Sequence, residues 1–148
     1  MASAAEPKRR RPRGVTLLAL GVLTIASLNL LRWVLAARDW SFLSGWSGAS
    51  PLYLLLTGLV WTVIGWPVWA GLWWGKPWAP GWLMRLAGVY SIYFWLERLF
   101  LYDRPASVPV FQPLLPGNWV FLAGLNLVSL IIVFWVLRHK KAKAYFTN

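Results

Sequence analysis

Among the polar residues that interrupt segments otherwise mostly apolar are Asn29, Arg32, Glu97 and Asn126. Ionisable groups inside a membrane are costly, and they persist where they pair or where they handle a proton, an ion or a polar substrate. Asn29 and Arg32 stand at i, i+3 on one helical face, while Tyr90, Tyr93 and Glu97 run at i, i+3, i+7 and Asn126 and Ser129 share a further face. At a rise of about 1.5 Å per residue, Asn29, Arg32, Glu97 and Asn126 fall roughly 18–26 Å from one membrane edge, so they can form a single polar layer. Two roles compete for that layer. In one, Glu97 is an exchanging acid with Arg32 as its counter-charge, and the layer serves transport. In the other, Arg32 reaches toward the interface, Glu97 pairs with it or with Arg98, and Asn126 bonds across helices as structural glue. The charges stand near helix ends rather than at mid-membrane, which favours the structural role.

Other chemistry finds few residues to carry it. The chain has no Cys, which removes disulfides, thiol relays and Cys-ligated metals. His139 is the only histidine and lies in a basic tail, so bis-histidine haem ligation within one chain is impossible. No Ser–His–Asp arrangement, carboxylate pair or glycine-rich phosphate loop can be assembled. Small multidrug exporters use a glutamate in their first helix, and this first helix has none. No enzyme activity and no cofactor are expected.

The elements that position the polar layer follow from composition. Of 148 residues, 59% are hydrophobic and 13% charged, against about 45–50% and about 25% in soluble domains. Stretches of about 20 apolar residues cross a bilayer as helices, because each backbone polar group must be satisfied within its own segment. Four such stretches occur, over 14–37, 51–74, 81–102 and 116–137. The expectation is an all-α bundle of four transmembrane helices over residues 14–137, between basic tails at 1–13 and 138–148. Pro51 and Pro116 suit first-turn positions. Gly75–Gly81 (GKPWAPG) is a tight antiparallel hairpin. The connection with Pro105, Pro109, Pro113 and Pro116 should be extended. The first apolar run exceeds the usual 7–15 residues of a signal-peptide core, so an uncleaved span is expected.

Charge sets the orientation. Lys8, Arg9, Arg10, Arg11, Arg13, Lys76, Arg85, Arg138, Lys140, Lys141 and Lys143 fall on one side of a four-span chain, and only Arg32, Arg38, Arg98 and Arg104 fall toward the other. Positive residues mark the cytoplasmic face, which predicts both termini inside. The tail cations Lys8, Arg9, Arg10, Arg11, Arg13, Arg138, Lys140, Lys141 and Lys143 are expected to contact anionic lipid headgroups at about 1 kcal/mol each. Nucleic acid is a poor partner for tails this short beside a bilayer.

Thirteen tryptophans accompany these spans. Trp33, Trp40, Trp46 and Trp119 fall toward the outer surface and Trp73, Trp74, Trp78, Trp82 and Trp135 toward the inner one, as interfacial belts require. Trp61, Trp66, Trp69 and Trp95 lie deeper and suit either packing or an aromatic wall for a lipid, quinone or pigment. Gly58, Thr62 and Gly65 recur at i, i+4, i+7 and offer a smooth strip to a neighbouring backbone. Pro67 is expected to kink that helix beyond the strip.

Arg11 to Leu20 (RPRGVTLLAL), with the Trp-rich spans, the Gly-x-Pro-Trp-Ala hairpin of Gly75 to Ala79 and the basic tail, resembles small bacterial multi-pass membrane proteins of no assigned function. The resemblance covers most of the chain and implies no cofactor and no catalytic residues. The expected location is a cell membrane, the inner one in bacteria. The expected role is a structural or accessory subunit of a larger membrane complex, with a small homo-oligomeric transporter or channel as the alternative.

Overall fold

The computed structural model describes residues 11–45, 50–99 and 119–147. Among these residues there are six helices and no strand: α1 (Arg13–Arg38), α2 (Trp40–Ser44), α3 (Pro51–Trp73), α4 (Ala79–Glu97), α5 (Trp119–Arg138) and α6 (Lys140–Phe146). Helices α1, α3 and α5 are long and apolar enough to cross a membrane. Helix α4 has 19 residues, about 28 Å of rise, but Pro80, Gly81, Arg85 and its tyrosines dilute its apolar character. Its α-helical part is Ala79–Glu97, and residues 100–102 of the expected span lie outside the described residues. Lys8, Arg9, Arg10, Trp46, Asp103, Arg104 and the proline-rich connection expected before α5 lie outside the described residues.

Helix α3 runs unbroken through Pro67. Its small-residue strip is the seam along which α1 and α3 approach most closely. A methyl group at Gly58 would sit 2.9 Å from the carbonyl oxygen of Asn29 and 3.0 Å from the backbone nitrogen of Trp33; one at Gly65 would sit 2.8 Å from the Ala26 side chain. Thr62, between them and buried, donates to the Gly58 carbonyl at 2.7 Å and approaches that of Ala26 at 3.4 Å. The close backbone fit joins the pair.

The α3–α4 hairpin is closed by its glycines. Gly75 has φ +67°, the left-handed conformation that lets the Lys76 N–H reach the Gly71 carbonyl at 2.8 Å and the Gly75 N–H reach that of Leu72 at 3.4 Å. A side chain at Gly75 would also meet the Tyr145 ring at 2.9 Å. Gly75→Ala is therefore expected to destabilise the protein by about 1–2 kcal/mol from backbone conformation alone, read as a lowered unfolding midpoint in mild detergent. An unchanged midpoint would contradict this closure.

The buried core sits at one end of the bundle, where Val15, Ala19, Val68, Leu72, Ala79, Leu83 and Leu137 meet Ala142 and Phe146 of α6. The last segment thus differs from a simple basic tail. Ala142 and Phe146 are buried, and the Tyr145 hydroxyl donates to the Trp73 carbonyl at 2.9 Å. Lys140, Lys141 and Lys143 remain exposed on the other side of the same short helix. The spacing of Ala142, Tyr145 and Phe146 (i, i+3, i+4) makes this possible.

Candidate functional site

The polar layer assembles around Arg32. From α1, its Nη2 pairs with the Glu97 carboxylate of α4, and its Nη1 donates to the Tyr93 hydroxyl at 3.2 Å. The Glu97 side chain is 12% exposed and that of Arg32 25%, so the pair is largely withdrawn from its surroundings. Helix α3 supplies the third wall. The Tyr53 ring lies 5.8 Å from the guanidinium, and the hydroxyls of Tyr53 and Thr57 interact with that of Tyr93. Trp61, one turn deeper, packs edge-on to Tyr90 at 4.7 Å and tilted to Tyr93 at 5.2 Å. Tyr53, Thr57 and Trp61 form an i, i+4, i+8 row along one face of α3, opposite in character to the Gly58–Thr62–Gly65 strip.

Asn29 belongs to the same cluster. It is buried, donates from Nδ2 to the Ile25 carbonyl at 2.9 Å and interacts with the Tyr90 hydroxyl. Asn126 does not join. It accepts from the Ser91 hydroxyl at 2.7 Å across the α4–α5 contact, while Ser129 turns back to the Leu125 carbonyl at 2.7 Å. The residues anticipated as one layer thus separate into an Arg32–Glu97–tyrosine cluster and a Ser91–Asn126 pair, because Ser91 lies about 9 Å of rise from Glu97 and on a different face of α4. Tyr53 and Thr57 had no sequence signal beyond their spacing.

Between the α1–α3 pair and the α4–α5 pair lies an apolar cleft of about 470 Å³. Leu18, Val22, Val68, Leu86, Leu122 and Val133 are among its walls, and Tyr90, Ser91 and Asn126 mark its polar end. A second pocket, of about 750 Å³, lies at the opposite end beside the start of α1 and the α5–α6 corner. Arg11, Arg13, His139 and Lys141 line it, with Trp135 and Val136. The Arg11 guanidinium stands 3.7 Å from the centroid of the Trp73 ring, a cation–π contact that holds it against α3 at the pocket wall. The described cations Arg13, Lys76, Arg138, Lys140 and Lys143 are exposed near the same end, whereas Arg38 and Asp39 pair at 3.3 Å at the other.

Among the described residues no group of three or more His, Asp or Glu is placed to hold a metal. No family model, curated protein or solved structure matches the chain.

Proposed function

We propose that the chain is an integral membrane protein of four transmembrane helices with both termini cytoplasmic, acting as a structural or accessory subunit of a membrane assembly. In this reading α4 completes the four spans, and its Arg85 extends toward the basic face by snorkelling. The cations at the ends of α1, α3, α4 and α5 face anionic headgroups of the inner leaflet.

The observation that supports the accessory role most is the pairing of Arg32 with Glu97 and Tyr93 on a second helix. The charges are used against each other, joining α1 to α4. From Tyr90 and Asn126 toward the basic end, the interior continues as an apolar cleft. A proton or ion leaving Glu97 in that direction would meet mostly apolar walls, with Ser129 the one hydroxyl below Asn126 among the lining residues. With the Tyr53–Thr57–Trp61 row of α3, the pair sets how the helices assemble.

Extraction in a gentle detergent followed by native mass measurement tests this role. Foreign subunits held at fixed stoichiometry support it. A homo-oligomer whose proteoliposomes show pH-driven uptake that Glu97→Gln abolishes, with the fold retained, would replace it by the transport alternative.

A further inference from the structure

We propose that the chain carries a defined site for one anionic phospholipid, with the lipid phosphate in the cationic pocket at the start of α1 and one alkyl chain in the apolar cleft beside α5. The proposal rests on the membrane reading above and goes beyond it, from a diffuse attraction between basic tails and headgroups to a single, stoichiometric ligand. The charge is concentrated, and among the described residues no carboxylate stands beside it. Arg11, Arg13 and Lys141 line one pocket with His139, while the described carboxylates, Asp39 and Glu97, belong to the opposite end. His139 accepts the Lys141 N–H on Nδ1 at 3.3 Å, which leaves its Nε2 as the protonated donor. Phosphate is the anion that such a spread of donors matches, since its several oxygens each accept.

What selects a lipid over a free phosphate is the position of the cleft. Gly14, Val15 and Val136 line the cationic pocket, and about one helical turn further along the same two helices Leu17, Leu18 and Val133 line the cleft. From Val133 to Leu122 its α5 wall rises roughly 16 Å, about the hydrocarbon depth of one leaflet. Its predominantly apolar lining gives water few partners and suits an alkyl chain. Trp135, 70% exposed, stands at the pocket wall, where an indole suits the boundary between headgroup and chain.

The test uses the full chain in nanodiscs of phosphatidylcholine with a minor fraction of phosphatidylglycerol, released for native mass measurement of lipid adducts. The wild type should retain one phosphatidylglycerol. Arg13→Gln with Lys141→Gln should lower the bound-to-free ratio at least tenfold, because both remove charge-assisted donors that line the pocket. Lys76→Gln with Lys143→Gln removes the same charge at the same end outside the pocket and should change the ratio less than twofold. Gly21 lines the cleft, and a side chain there meets nothing within 4 Å. Gly21→Leu should therefore occupy the alkyl position and also lower retention about tenfold, while Gly124→Leu, equally unobstructed, should not. Equal losses for both charge pairs, equal retention of phosphatidylcholine, or displacement by millimolar inorganic phosphate would each overturn the proposal. Partition of the chain into the aqueous fraction without detergent would instead overturn the membrane reading.

Discussion

Gly58→Leu is expected to separate α1 from α3 and to cost the protein its folded state in mild detergent. The new side chain would start 2.9 Å from a carbonyl oxygen and 3.0 Å from a backbone nitrogen of α1. Those atoms belong to a helix and cannot move without the whole helix. Overpacking typically costs about 1–3 kcal/mol where side chains can shift, so a main-chain obstruction belongs at the top of that range or above it. Separation would also break the approach of Thr62 to Ala26 and carry Arg32 away from Tyr53. Size-exclusion profiles and unfolding midpoints read the outcome, with Gly124→Leu as the control in open space. A monodisperse Gly58→Leu protein with the wild-type midpoint would show that the α1–α3 seam is not the organising contact.

Arg32→Met should destabilise the protein by about 3 kcal/mol, because it leaves the Glu97 carboxylate withdrawn from water without its cation. Glu97→Met should cost less, about 2 kcal/mol, because Arg32 keeps the Tyr93 hydroxyl and has a long stem with which to reach the interface. The double variant should return to within about 1 kcal/mol of wild type, since two apolar side chains need no partner there. A double-mutant cycle by equilibrium unfolding in detergent measures the coupling directly. Additive losses would mean that the two residues act independently, and the pair would lose its role as the α1–α4 connection.

Much of this cluster is legible in the sequence, for a reason that also sets its limit. The depth of a residue along a helix follows from counting at a constant rise, so the order of residues suffices to place Asn29, Arg32 and Glu97 at one level. Depth does not give direction around the axis relative to a neighbour. Asn126 meets Ser91, about 9 Å of rise from Glu97 and on another side of α4, and counting alone does not say which residue of α4 it meets. Tyr53 and Thr57 have the spacing of a helical face, yet a tyrosine near a membrane surface reads equally as an interfacial anchor. The C-terminal helix was hidden by its own lysines. The charges of Lys140, Lys141 and Lys143 mark a tail, and only the position of Trp73 and Gly75 at the end of α3 gives Tyr145 and Phe146 something to pack against.

The order of residues is enough to make this chain helical, to give it segments long and apolar enough to span a membrane, and to concentrate its cations at one end. Those properties are local: each helix satisfies its own backbone, and hydropathy is set residue by residue. The Gly58–Thr62–Gly65 strip is marked in the same way as a place of close approach. That Ala26 and Asn29 fill the strip, that Arg32 meets Glu97 beside Tyr53 and Tyr93, and that Arg11, Arg13 and Lys141 gather around one pocket are outcomes of helix packing. Helix pairing in an apolar surrounding is chosen by the fit of small surfaces and a few polar contacts. These depend on the rotation of two helices together, which neither helix specifies alone.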